Sequence, residues 1–273
     1  MSYRHELVIP NEDLSFRFFV FEGQYGDYYV TKHWHRHIEI FAVYEGEIDY
    51  YINDKKHHLQ AGDFVLLNTN EIHSIDVPNK NYTLVMQIPL ESFDGYLGEE
   101  RIIMFSHNVK THDKEIMECL LNMYKIYVGK RYGYKLEVQS YFYKLLYILV
   151  SKYQVKQIDK QMLNNNKQLN KLSNVTNYIR EHYNEQLTLE GVAKTFAYSK
   201  EYLSRMFKKY GKMNYRDFVT QIRLEKAYKD LMNTNKSISK IAIDNGFVNG
   251  RAFSKAFHKK YGTTPSNYKM SIK

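Results

Sequence analysis

Residues 192–211 read VAKTFAYSKEYLSRMFKKYG, and residues 241–262 read IAIDNGFVNGRAFSKAFHKKYG. One pattern is written twice. Val192-Ala193 answers to Ile241-Ala242 at an offset of 49. Leu203-Ser204-Arg205-Met206-Phe207 answers to Phe253-Ser254-Lys255-Ala256-Phe257 at 50, and Tyr210-Gly211 to Tyr261-Gly262 at 51. Each step is a one-residue insertion, the first in a turn and the second after a helix. Such a duplication marks a repeated supersecondary unit, here helix–turn–helix. Ala193 and Ala242 are small enough to let the second helix approach the first. Gly246 suits the left-handed conformation that ends a helix. Leu203 with Phe207, and Phe253 with Phe257, stand four residues apart and bury one face. The other face carries Lys200, Ser204, Arg205 and Lys208 in the first copy, and Arg251, Ser254, Lys255 and Lys259 in the second. A short helix with one aromatic and one basic face fits a DNA major groove.

Between the copies, residues 215–232 place Phe218, Ile222, Leu224, Ala227 and Leu231 at the spacing of one long helix. At 1.5 Å per residue it spans roughly 27 Å. A rod of that length would hold two recognition helices about one DNA turn apart, roughly 34 Å. Ser173, Thr188, Ser199, Ser237 and Thr264 are the expected N-caps. Pro265 suits a first helical position. Charge follows the same division. Residues 161–273 carry 21 Lys and Arg against 8 Asp and Glu, a net of +13, while residues 1–160 carry 18 against 22, a net of −4. A basic half of this kind points to a polyanionic partner.

The chain has 273 residues, 44% of them hydrophobic, which suits two domains of ordinary size. Cys119 is the single cysteine, so no internal disulfide forms, and a reducing cytoplasm is the expected location. Glu6, Glu12 and Asp13 interrupt the N-terminus, which does not read as a signal peptide. The longest aliphatic run, residues 145–150, is far too short to cross a bilayer, and no membrane partner is expected.

Residues 16–88 alternate short runs of Phe, Tyr, Val and Ile with turn signals such as YEGE, NDKK and AGD, the pattern of an antiparallel sandwich or barrel. Residues 112–128 and 136–153 then switch to helical spacing and predict a helical hairpin. The expected fold is therefore α+β with two domains: a β-barrel with a helical hairpin over 1–155, a polar linker over 156–171, and an all-α double helix-turn-helix domain over 172–273.

The C-terminal part resembles the AraC/XylS family of bacterial transcription regulators over about residues 173–270. The resemblance rests on LTLEGVA, SKEYLSRMFKKYG, RLEKA, SISKIAIDNGF and FSKAFHKKYGTTPSNY. It implies two helix-turn-helix units that enter adjacent major grooves of promoter DNA. By position, Glu201 and Arg205 would read bases from the first unit with Ser199, Lys200 and Ser204 nearby. Asn249, Arg251 and Lys255 would do so from the second, beside Ser254. Lys208, Lys209 and Lys259 would hold phosphates, which gives affinity without sequence information. Gly250 departs from the family, which often has a polar residue there, so the start of the second recognition helix would contact few bases. The resemblance further implies an activator that contacts RNA polymerase and a homodimer formed through the helical hairpin.

Residues 33–46, HWHRHIEIFAVYEG, raise a second question. The N-terminal strands look like a cupin barrel: Gly26, His33, His35, Glu39 and Gly46 meet its first motif, and Gly62 and His73 part of its second, with Asn68 and Asn70 in place of Pro and Gly. In cupin enzymes the three histidines and the glutamate bind a metal. AraC-type sensors commonly use the same barrel for an organic effector. On a regular strand, His33, His35, His37 and Glu39 share one side. The preferred reading is a small-molecule pocket of His33, Trp34, His35, His37, Glu39 and His73, with a sugar as effector, no metal, no cofactor and no catalytic residues. The alternative is a metal-binding cupin, sensor or enzyme, fused to a DNA-binding domain.

Overall fold

The computed structural model describes residues 4–6, 8–23, 28–77, 79–97, 102–107, 113–157 and 160–272. It divides into one unit over Tyr3–Asn170 and another over Lys171–Lys273. The N-terminal unit contains strands β1 (Arg4–His5), β2 (Arg17–Gly23), β3 (Tyr28–Trp34), β4 (His37–Glu45), β5 (Glu47–Ile52), β6 (Lys55–Gln60), β7 (Phe64–Leu67), β8 (His73–Val77) and β9 (Asn81–Pro89). They form two sheets, ordered β1-β3-β8-β5-β6 and β2-β9-β4-β7. All pairs are antiparallel except β1 with β3.

Strand β4 shows why both layers form. Its successive side chains face opposite ways. Phe41 and Val43 pack with Tyr50, Ile52, Ile75 and Val77 of the other sheet. Ile38, Ile40 and Ala42 pack with helices α1 (Lys114–Gly129) and α2 (Tyr134–Ile148). This sheet is therefore covered on both faces, and β4, β7 and β9 are buried nearly throughout. The helical hairpin begins at Asp113, whose carboxylate accepts from the amides of Glu115 and Ile116. It turns at Lys130 and Gly133, both at positive φ. Residue 112, the expected start, lies outside the described residues, as does Gly26 of the first cupin motif.

Two expectations need correction. The segment 156–171 is helical from Lys160, in α3 (Lys160–Glu181). Its asparagines are contacts, not solvated linker: the Asn166 amide donates to the Thr69 carbonyl at 3.1 Å, and the Asn70 amide donates to Oδ1 of Asn166 at 3.1 Å and of Asn170 at 3.0 Å. Because α3 starts so early, Ser173 is a buried residue inside the helix and not its N-cap.

The C-terminal unit continues with α4 (Leu189–Thr195), α5 (Lys200–Tyr210), α6 (Tyr215–Asn233), α7 (Ile238–Asp244), α8 (Gly250–Tyr261) and α9 (Pro265–Ile272). Thr188, Ser199 and Ser237 cap α4, α5 and α7 with their hydroxyls, and Thr264 accepts from the Asn267 amide ahead of Pro265. The rod α6 has 19 residues, roughly 28 Å at 1.5 Å each. Gly246 takes the left-handed conformation at the second turn, with φ of 78°, and Ala197 takes it at the matching place in the first, with φ of 54°.

Candidate functional site

Helices α5 and α8 are built alike. Leu203, Met206 and Phe207 bury one face of α5, and Phe253 and Phe257 one face of α8. Outside stand Lys200, Glu201, Arg205, Lys208 and Lys209 on α5, and Arg251, Lys255 and Lys259 on α8, all exposed; Ser204 and Ser254 are half-buried. Among the described residues Arg205, Lys208, Arg251, Lys255 and Lys259 enter no ion pair, which leaves their charges for an external partner. Ser199 and Asn249 have a structural duty as well: their side-chain oxygens accept from the amides of Tyr202 at 3.1 Å and Ala252 at 2.9 Å. Lys255 and Lys259 also line a cleft of about 930 Å³ against α6, with Arg216 and Val219 opposite.

Two residues that hold this surface were not legible as such. Arg223 reads as a surface charge on α6, yet its guanidinium donates to the carbonyls of Tyr183 at 2.8 Å and Glu185 at 2.7 Å. Asn245, buried at the end of α7, donates to Asp230 Oδ2 at 2.8 Å and to the Ile241 carbonyl at 2.9 Å. Nothing in their spacing announces these bonds, which depend on where α6 meets the turns.

In the N-terminal unit the histidine stretch is not one strand. β3 ends at Trp34, the chain bends at Arg36, and β4 begins at His37. The bend still brings His35 to Glu39, and His73 joins it from β8, whose register pairs it with His33. His35 Nε2 lies 3.2 Å and His73 Nε2 3.1 Å from Glu39 Oε2. Gln87 on β9 donates to the other carboxylate oxygen at 2.8 Å. Glu6 reaches His33 Nε2 at 3.3 Å and is itself held by Arg17 at 3.0 Å. The cluster is enclosed: His33 is 7%, His35 1%, Glu39 1% and His73 2% exposed, and Trp34 is equally buried. An effector touching Trp34 or His35 must displace what covers them.

Burial raises the affinity of Glu39 for a proton, but His35 and His73 together outweigh it and hold the carboxyl well below its usual range. Glu6 follows the same balance, with His33 bringing it down to about 2. His37 lies outside the group of converging nitrogens formed by His33, His35 and His73, although its ring is 6.0 Å from that of His35. Burial, then the charge of His35, push it down to about 4, so it is neutral at pH 7.

The AraC-like ligand-binding domain family model matches residues 15–146, and the helix-turn-helix domain model matches residues 192–271. The melibiose operon regulatory protein of Escherichia coli is 20% identical over 255 residues, 88% of this chain and 83% of its own. The regulatory protein SoxS of Escherichia coli is 37% identical over 95 residues, 35% of this chain and 89% of its own. Among solved structures, ToxT from Vibrio cholerae superposes with a TM-score of 0.55 at 14% identity, covering 94% of this chain and 98% of that one, a likeness of fold. Duplicated basic helix-turn-helix units behind a ligand-binding sheet domain, with these matches, place the chain in the AraC family of DNA-binding transcriptional regulators.

Proposed function

We propose that the chain binds promoter DNA through α5 and α8, one helix in each of two adjacent major grooves, and activates transcription through RNA polymerase. The observation that carries this is the matched pair of exposed basic faces on α5 and α8. Arg205 and Arg251 are assigned to base edges, because a guanidinium can bridge guanine O6 and N7. Glu201, Ser204, Ser254 and Lys255 lie beside them. Lys200, Lys208, Lys209 and Lys259 are assigned to phosphates. Ser199 and Asn249 position the helices as caps and reach DNA only with the atoms that capping leaves over. The N-terminal unit, residues 1–155, is assigned to the effector, a sugar being favoured by the melibiose relative. No catalytic step is assigned to it.

Helix α2 supports a homodimer. Leu136, Tyr143 and Tyr147 lie on one helical stripe and are 80%, 64% and 71% exposed. Among the described residues no helix is long and apolar enough to cross a membrane, and the expected location is the cytoplasm. The test is selection of genomic fragments by the full chain, with and without candidate sugars, followed by footprinting of the best fragment. The proposal predicts two protected major grooves one turn apart for each protomer. Protection of a single groove under every condition would reject the double-unit mode.

A further inference from the structure

The duplicated unit is filled differently in its two copies. At the offset of 50 that matches α5 to α8, Tyr202 and Met206 stand where α8 has Ala252 and Ala256. In the first copy the bulk is used: Met206 is buried, and Tyr202 packs on Tyr198 with ring centroids 5.1 Å apart. In the second copy the two alanines leave that space open, and they line the cleft of about 930 Å³ between α8 and the N-terminal half of α6. The whole lining belongs to the unit Lys171–Lys273. The volume is that of a small-molecule site, roughly 300–1,000 Å³. Its walls are of two kinds. Leu187, Leu189, Val219 and Phe247 supply apolar surface, and Val219 and Phe247 are buried. Arg216, Arg223, Lys255 and Lys259 supply positive charge, and no Asp or Glu lines the cleft. The Tyr183 and Glu185 carbonyls fix the Arg223 guanidinium in place without neutralising it. Arg216, Lys255 and Lys259 enter no ion pair among the described residues. Cations of one sign around an apolar wall focus a positive potential there.

We infer that this cleft binds a small amphipathic anion. Its apolar body lies against Val219, Phe247 and the two alanines, and its carboxylate or sulfonate head lies among Arg216, Lys255 and Lys259. A neutral apolar ligand would leave the cations unused, and a bare inorganic anion would leave the apolar wall unused. The complementary occupant carries both parts. Lys255 and Lys259 belong also to the face that α8 presents to DNA. An anion that neutralises them removes charge that holds the DNA strand. Ligand and DNA therefore oppose each other, and each lowers affinity for the other by the same factor. The cleft is then a second input to the regulator, built into the DNA-binding unit and separate from the histidine cluster. Binding of the anion stands by itself, and only the antagonism rests on the promoter reading.

The full chain, free of DNA, is titrated with anilinonaphthalene sulfonate, whose fluorescence rises on burial. A parallel titration uses phenyl-naphthylamine, which has the same ring skeleton and no charge. The expected result is a stoichiometric sulfonate site, about tenfold tighter than that for the uncharged probe. Ala252→Tyr gives α8 the residue that α5 carries at that position and should weaken the sulfonate about tenfold by filling the cleft. Arg216→Gln should weaken the sulfonate and leave the uncharged probe as it was. Both positions are exposed, so both variants should keep the wild-type far-UV circular dichroism, and the second guards against a tyrosine that disturbs packing. Inorganic phosphate at matched ionic strength should not displace the probe. No binding by the folded wild type, binding that survives both variants, equal affinity for the two probes, or displacement by phosphate would each overturn the site. Saturating sulfonate should lower the affinity of the wild type for its selected DNA fragment about tenfold. Probe and DNA held together without mutual loss would overturn the antagonism. A chain that binds the probe in the cleft but no DNA refutes the promoter reading alone. A chain that binds its fragment but no probe refutes the cleft alone.

Discussion

At the scale of single residues, the two copies of the helix-turn-helix unit differ at one instructive place. Gly246 carries φ of 78° at no steric cost, whereas Ala197 holds φ of 54° with a Cβ. The left-handed conformation costs an ordinary residue about 1 kcal/mol. Ala197→Gly should therefore recover part of that, set against the larger unfolded-state entropy of glycine, and raise the stability of the C-terminal unit by up to about 1 kcal/mol. A denaturant titration that shows a lower midpoint would refute this. The duplication made the position legible, because the offset of 49 that matches the first helices also lays Ala197 on Gly246. Glu6, Gln87 and Arg223 were not legible, since each gains its partner from a remote segment. The histidines were half legible. Their types and spacing named the cluster, but alternation placed His37 with the others, and the bend at Arg36 sets it apart.

At the scale of elements, helices read well where apolar periodicity or a cap announces them. The hairpin α1–α2, the rod α6 and the capped helices α4, α5 and α7 follow from such signals. Helix α3 did not. Its N-terminal half is rich in Asn, Gln and Lys, the composition of a linker, and its stability there comes from amide bonds to Thr69 and Asn70 that composition does not reveal. The same β7–β8 loop joins this helix to the histidine cluster, because the Asn70 amide donates to the His35 carbonyl at 2.7 Å. Helix α2 carries the prediction that belongs at this scale. Its exposed Leu136–Tyr143–Tyr147 stripe is the proposed dimer contact. Tyr143→Glu places a charge in that stripe and should weaken the dimer at least tenfold by sedimentation velocity, with an unchanged circular dichroism spectrum. An unaltered monomer–dimer equilibrium would move the contact elsewhere.

At the scale of the whole molecule, charge and fold agree on a division of labour. The acidic N-terminal part encloses a buried histidine–glutamate cluster, and the basic C-terminal part displays two matched helices. A ligand in the first part changes DNA binding only through a difference in its affinity for the two states of the protein. The central claim is that α5 and α8 read DNA with Arg205 and Arg251. It is tested most directly by measuring the affinity of Arg205→Ala for the selected fragment and for fragments mutated base by base, across a series of salt concentrations. The account predicts a loss of about 1–3 kcal/mol on the selected site with relaxed preference at the bases under α5, and a salt slope of about −0.9 for each phosphate neutralised. Undiminished affinity with an unchanged base preference, or an affinity indifferent to salt, would contradict it.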